Sequence, residues 1–325
     1  MKILVVGGAG YIGAHMVKWL ARAGHEVIVL DNLSTGHRDA ARYGSLVEGD
    51  LADEWLLDSL FKDNQFDAVM HFAAFSLVGE SMVDPGKYYR NNVAATLNLL
   101  DAMVRHGVRH FVFSSTAATF GSPQSERITE AHPQQPINPY GQSKLMVERL
   151  LEDYDRAHGL KSTCLRYFNA AGADPEGELG ESHNPETHLI PLVLQVASGR
   201  RDRISVFGDD YDTPDGSCIR DYIHVQDLCD AHLKALDWMR LSERSGRFNL
   251  GNGKGFSVFE VIDSVRRVTE HSIPYEVTDR RRGDPARLVA DAAFAQEVLG
   301  WQTKYSDVDT MVAHAWWWEK NSIVI

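Results

Sequence analysis

Cysteine is scarce in this chain, positive charge is outweighed, and no apolar run is long. The three cysteines, Cys164, Cys218 and Cys229, stand at no metal-like spacing. No metal site is therefore expected, and a reducing, cytoplasmic setting is. Lys and Arg number 33 against 45 Asp and Glu, a formal net charge of −12. With no basic stripe interleaved with aromatics, nucleic acid is excluded as a general partner. Arginines cluster only at Arg200-Arg201 and Arg280-Arg281-Arg282, runs that ordinarily mark a solvated face. No apolar stretch reaches the roughly 18 residues of a membrane span. Lys2 followed by Ile3-Leu4-Val5-Val6 has the look of a signal peptide's start, but glycines interrupt it at once, so neither membrane nor export is expected. Internal repeats and low-complexity tracts are missing too. A hydrophobic content of 44% over 325 residues suffices for one large domain or two modest ones.

What is present begins with glycine. Residues 2–6 form a β-branched run fit for a buried parallel strand, and Gly7-Gly8-Ala9-Gly10-Tyr11-Ile12-Gly13 follows directly. Helical periodicity then runs over Ala14–Ala23 and stops at Gly24. Glycines 8, 10 and 13 satisfy G-x-G-x-x-G, and glycines 7, 10 and 13 satisfy G-x-x-G-x-x-G. Glycine is needed there because the chain turns tightly and lets a pyrophosphate approach the helix N-terminus. The next strand, Val27–Leu30, ends in Asp31, placed to accept from ribose hydroxyls. Like-charge repulsion with a 2′-phosphate makes NAD the expected cofactor rather than NADP. Gly49-Asp50-Leu51 closes a third strand, Asp67–Phe72 is a fourth running into Ala73-Ala74, and His110–Ser115 is a fifth after a helix over Val93–Arg105. This alternation predicts an α/β fold with a Rossmann-type doubly wound parallel sheet and ligands at the strands' C-terminal ends.

Asn138-Pro139-Tyr140-Gly141-Gln142-Ser143-Lys144 is the stretch with chemistry of its own. Asn138 is fit to cap a helix whose first turn accommodates Pro139. Tyr140 and Lys144, four residues apart, then share one face. A phenol ordinarily titrates near pH ~10, and a neighbouring ammonium favours the phenolate, so the pair reads as a proton-transfer device. Ser114-Ser115-Thr116 ends the fifth strand, where a hydroxyl can bond a substrate oxygen.

Together the glycine fingerprint, Asp31, Ser115-Thr116, Tyr140-x-x-x-Lys144 and Arg166-Tyr167-Phe168-Asn169 resemble the extended short-chain dehydrogenase/reductase family. Val206-Phe207-Gly208-Asp209-Asp210-Tyr211 and Asp215-Gly216-Ser217-Cys218-Ile219-Arg220-Asp221-Tyr222-Ile223-His224-Val225 are similar to the UDP-glucose 4-epimerases within it. The likeness runs from Lys2 to about Trp318. It implies an enzyme that interconverts UDP-glucose and UDP-galactose through transient oxidation at sugar C4. Tyr140 would be the base at O4, Thr116 its hydrogen-bonding neighbour, and Lys144 the group that binds the nicotinamide ribose and lowers the Tyr140 pKa. Gly7, Gly10, Tyr11, Ile12, Gly13, Asp31, Asn32, Asp50, Leu51, Phe72, Ala73, Ala74, Asn92 and Ser114 would line the NAD site with Tyr140 and Lys144, and Phe168 would lie near the nicotinamide. Asn169, Leu189, Phe207, Arg220, Arg281 and Asp284 would hold the UDP-sugar, with Thr116 and Tyr140 at its O4. Leu288, in Gly283-Asp284-Pro285-Ala286-Arg287-Leu288, would crowd the sugar's C2 substituent and restrict N-acetylated sugars.

Two positions depart from the family pattern. Ser76 stands where some relatives carry a phosphate-binding lysine, and His188 where some carry asparagine. The rival within the family is a nucleotide-sugar 4,6-dehydratase, whose Asp and Glu after the threonine are here Ala117 and Ala118. A UDP-N-acetylglucosamine 4-epimerase is another, and a non-catalytic NAD-binding regulator is the distant one. The expected lobes are an NAD-binding domain over 1–169 and a UDP-sugar-binding domain over 170–325, with 221–241 packing back on the first. Gly172–Pro185, rich in Gly, Pro and acids, reads as a loop over the site, and Trp316-Trp317-Trp318, on a helix over Val308–Trp318, as core or interface. The resemblance also implies a homodimer paired through helices near 93–105 and 145–157.

Overall fold

The computed structural model describes residues 1–281 and 284–322; Arg282 and Gly283, from two of the stretches quoted above, lie outside the described residues. The strands are β1 (Lys2–Val6), β2 (Glu26–Asp31), β3 (Ser45–Glu48), β4 (Ala68–His71), β5 (His110–Thr116), β6 (Lys161–Tyr167) and β7 (Asn169–Ala171). Then come β8 (Ile204–Phe207), β9 (Ile219–Arg220), β10 (Tyr222–His224), β11 (Gly246–Leu250), β12 (Phe256–Ser257), β13 (Tyr275–Thr278) and β14 (Arg287–Leu288). The helices are α1 (Tyr11–Arg22), α2 (Glu54–Asp63), α3 (Val78–Val83), α4 (Pro85–Tyr88), α5 (Ala95–Arg105) and α6 (Pro139–His158). They continue as α7 (Leu189–Ala197), α8 (Val225–Ser242), α9 (Val258–Thr269), α10 (Ala293–Leu299) and α11 (Val308–Asn321).

Seven parallel strands form the main sheet in the order β11-β6-β5-β4-β1-β2-β3. Ile3, Leu4, Val5 and Val6 are buried on both faces of β1, as their branched run predicted. One face is covered by α1 and α8, whose Met16, Leu20, Leu228, Leu236 and Met239 pack on β1, β2 and β11. The other carries Leu57, Leu60, Leu99, Met103, Val147 and Leu151 from α2, α5 and α6. Strand order reverses between β1 and β4, which opens the ligand crevice of a doubly wound sheet beyond Val6 and His71.

A second core lies between α7, α9 and α11, with Val193, Val206, Val261, Val312 and Trp316 inside it. The paired strands β7 and β10 lead into it from β6. The chain then returns to the main sheet through α8 and β11, beyond the segment 221–241 whose return was expected. The tryptophans of α11 divide: Trp316 is core, while Trp318 donates to the Glu181 carbonyl at 3.0 Å and Trp317 lies against Gly177. Both outer tryptophans therefore pin the 172–185 loop.

Helix α6 starts as its sequence dictates. Asn138 Oδ1 accepts from Gly141 N at 2.8 Å, Pro139 fills the first turn, and Gly159 ends the helix at φ +66°. The helix expected over 93–105 is α-helical only from Ala95; Tyr89–Ala94 before it is a π-helical segment. Beneath α6, Glu148 meets the Arg166 guanidinium at 3.0 and 2.6 Å and accepts from Ser115 Oγ at 2.5 Å. Burial raises the Glu148 carboxyl pKa, but Arg166 and Ser115 outweigh it and hold it below the ordinary range. Removing one member of such a pair strands the other charge. Arg166→Met is therefore expected to lower unfolding stability by about 3–5 kcal/mol in urea titrations, and Glu148→Leu/Arg166→Met to recover most of that loss. A double variant no more stable than the single one contradicts this.

Candidate active site

The crevice floor is made where the loops after β1 and β4 touch. A Cβ on Gly7 (φ +79°) would lie 2.4 Å from Ala73 N, so no other residue fits. Gly10 differs: a Cβ there would meet only the Gly7 carbonyl, at an ordinary 3.5 Å. Packing does not demand glycine at position 10; the open space above it does, if a ligand is to reach the amides of α1. No side chain caps that helix, which leaves the amides of Tyr11, Ile12 and Gly13 for an anion. At the end of β2, the Asp31 carboxylate accepts from Ala9 N at 2.9 Å and Leu33 N at 2.8 Å. Beside it Asn32 donates to Asp50 at 2.7 Å. Uncapped amides, an open glycine and a carboxylate at the next strand's end fit a dinucleotide whose ribose is not phosphorylated.

Three of the residues expected to line the cofactor site also make internal contacts. Asn92 is buried with its amide engaged: it accepts from Phe75 N and donates to the Phe75 carbonyl, both at 3.0 Å, and donates to Ser143 Oγ at 3.1 Å. It shapes the wall after Ala73-Ala74. The Leu51 side chain joins the core of α2 and α5. Tyr11 donates to the Gly172 carbonyl at 2.6 Å, tying α1 to the 172–185 loop. Phe72 packs against His232 with ring centroids 4.9 Å apart, a contact with no signal in the sequence. Ser76 is exposed.

Strand alternation sorts the hydroxyls that end β5. Ser115 points to Glu148, while Ser114 and Thr116 take the other face, with Ser114 Oγ hydrogen-bonded to Tyr167 Oη. Thr116 Oγ1 accepts from Ala118 N at 3.1 Å and starts a short 3₁₀ turn over Ala117–Thr119. Lys144 is buried, donates from Nζ to the Ser114 carbonyl at 2.8 Å and lies 4.8 Å from the Phe113 ring centroid. Burial pushes its pKa down to about 7, against the pull of Glu148 one turn further along α6. The Tyr140 phenol is raised, by burial first, with only the Thr116 hydroxyl lowering it. The Lys144 ammonium is turned to the Ser114 carbonyl and is itself weakened by burial.

The sugar-side residues converge through short links. Ala117 packs with Phe120, Ile128, Phe168 and Leu288 in one small apolar cluster. Leu288 is in register with Arg220 across β14 and β9. The Arg220 guanidinium donates to the Ile219 and Pro285 carbonyls at 2.9 Å and to Asp284 Oδ1 at 3.0 Å. Asp284 thus aims Arg220. Arg281 stacks 3.9 Å over the Phe207 ring. Asn169 N donates to the Asp221 carbonyl at 3.0 Å, which fixes the start of β7. Leu189 opens α7, and the side chain of His188 before it is turned to Glu181.

Comparison with known proteins places this arrangement. Residues 3–251 match the model of the NAD dependent epimerase/dehydratase family. A UDP-glucose 4-epimerase from Halalkalibacterium halodurans is 56% identical over 320 residues, covering 98% of this chain and 96% of that relative. The crystal structure of UDP-glucose 4-epimerase from Brucella ovis in complex with NAD is 51% identical, with a TM-score of 0.95 over 97% of both chains. That of the Bifidobacterium longum enzyme in complex with NAD+ and UDP is 40% identical, with a TM-score of 0.94 over 99% of both. The chain belongs to the NAD dependent epimerase/dehydratase family.

Proposed function

We propose that this chain is an NAD-dependent UDP-glucose 4-epimerase with Tyr140 as its base. The observation that carries the reading is Tyr140 and Lys144 on one face of α6 beside Thr116, at the strand ends where the dinucleotide crevice opens. Bound NAD supplies the reversible acceptor for the hydrogen at sugar C4. Tyr140 takes the O4 proton and returns it, and Thr116 orients that oxygen. Lys144 would hold the nicotinamide ribose and Phe168 would lie near the ring, while Arg220, aimed by Asp284, and Arg281 would hold the diphosphate. The anchoring groups do not react, so the 4-keto sugar turns its other face to the cofactor while UDP stays held.

Residues 1–169 form the cofactor lobe in this reading and 170–325 the sugar-nucleotide lobe, whose α8 and β11 support the main sheet. The active form is a cytoplasmic homodimer joined through α5 and α6, whose Leu97 and Met146 are exposed apolar residues. Incubation with UDP-galactose and NAD is expected to give UDP-glucose with no net redox change. A 4-keto-6-deoxy product identifies a dehydratase instead, and no turnover a regulator.

Tyr140→Phe keeps the ring and loses the proton acceptor. Its kcat is expected to fall by at least about 100-fold with substrate binding retained, measured by steady-state kinetics and by titration with UDP-glucose. Wild-type turnover rules Tyr140 out as the base.

Because burial raises the Tyr140 phenol, the chain without cofactor holds it protonated at neutral pH. Its phenolate is expected only above the ordinary phenol range without cofactor, and at lower pH once the nicotinamide's positive charge is bound. Ultraviolet difference titration of wild type against Tyr140→Phe isolates this phenol among the 11 tyrosines. An unchanged midpoint on NAD+ binding contradicts it.

Leu288 is half-buried beside Phe168. As the wall facing the sugar's C2 substituent it favours UDP-glucose and UDP-galactose over their N-acetylated counterparts. Leu288→Ser is then expected to raise kcat/KM for UDP-N-acetylgalactosamine relative to UDP-galactose. A purely structural leucine gives instead a stability loss of about 2–5 kcal/mol and an unchanged ratio.

A further inference from the structure

Along the loop over the site, beside Tyr11, one segment gathers metal-ligating side chains that have no role in the proposed chemistry. Glu181, His183, Glu186 and His188 follow the pattern Glu-x-His-x-x-Glu-x-His, and one ligand atom from each lies within 4.8 Å of all the others. The side chains of Glu181 and Glu186 are only 5% exposed. Both histidines turn Nδ1 to these carboxylates. His183 Nδ1 is 3.1 Å from Glu181 Oε1 and 3.8 Å from Glu186 Oε1, and His188 Nδ1 contacts the same Glu181 oxygen. A tetrahedral ion with bonds of about 2.0–2.1 Å has ligand atoms about 3.3 Å apart, so two of these three spacings are already near its edges.

We propose that these four residues bind one divalent transition-metal ion, of the zinc class, as a structural clip. Two imidazole nitrogens and two carboxylate oxygens make a borderline N₂O₂ donor set that suits such ions better than calcium or magnesium. The two imidazole rings stand edge to face with their centroids 5.5 Å apart. Four protein ligands leave no open position, the mark of a structural site. All four come from eight consecutive residues, so little chain entropy is lost on closure.

The position gives the clip its purpose. This segment continues from Gly172, where Tyr11 bonds the loop, past Glu181, whose carbonyl Trp318 holds, into Leu189 at the start of α7. An ion there fixes the residue next to Leu189 without contacting reacting atoms.

The test uses the full-length, NAD-loaded protein dialysed against a chelator and titrated with Co²⁺ alone, a visible stand-in for spectroscopically silent Zn²⁺. The expected result is one Co²⁺ per chain, a tetrahedral-type visible absorption, and its loss when Zn²⁺ is added. His183→Gln/His188→Gln is expected to weaken binding by at least about 100-fold. His158→Gln, on an exposed residue at the end of α6, is expected to leave it unchanged. Absence of stoichiometric Co²⁺ binding by the wild type, or unweakened binding by His183→Gln/His188→Gln, overturns the proposal.

Discussion

A cation carried into the interior beside Tyr140 is the constraint around which the rest of this structure is arranged. Lys144 is 3% exposed, and its ammonium has the Ser114 carbonyl as its hydrogen-bond acceptor. Burying a charge costs several kcal/mol unless other groups offset it. Glu148, one turn along α6, supplies the opposite charge, and Arg166 on β6 neutralises Glu148 in turn. Ser115 completes that set from the face of β5 opposite Thr116. Alternating charges thus run from the crevice into the core, and the helix that carries two of them is held in register by the Asn138 cap. The cation and the phenol stand together because this sequence of contacts permits it.

The same local rules explain what was legible in the sequence. The β-branched run of β1, the glycine turn, Asp31 at the end of β2 and the Asn138-Pro139 start of α6 each depend on neighbours within a few residues, so their patterns survive in one dimension. Contacts between distant residues leave no such trace. The return of β11 to the edge of the main sheet beside β6, and the Phe72–His232 contact, join segments about 80 and 160 residues apart in sequence. Asn92 and Asp284 are polar residues whose type fits ligand binding as well as internal support; their partners here, Phe75 with Ser143 and Arg220, carry no trace in the sequence. Glu148 does leave a signal, four residues after Lys144 on the same helix face.

The 172–185 loop joins the two cores by charge and by aromatic contact. Lys18, buried on α1, pairs with Asp174, Glu176 and Glu178, and Arg22 pairs with Glu176. From the other side Trp317 and Trp318 of α11 lie against Gly177 and Gly180. The acidic composition of this loop over the site is in part the counter-charge to a buried lysine. The loop is thereby fastened across α1, whose first turn has no side-chain cap, and leads into the residues before Leu189.

The central claim is that hydrogen leaves C4 of the sugar and returns to the same carbon within one closed site, with Tyr140 handling only the O4 proton. UDP-galactose deuterated at C4, converted in ordinary water and followed by NMR of the product, tests this most directly. UDP-glucose with deuterium retained at C4 is expected. Product carrying solvent hydrogen at C4 contradicts it.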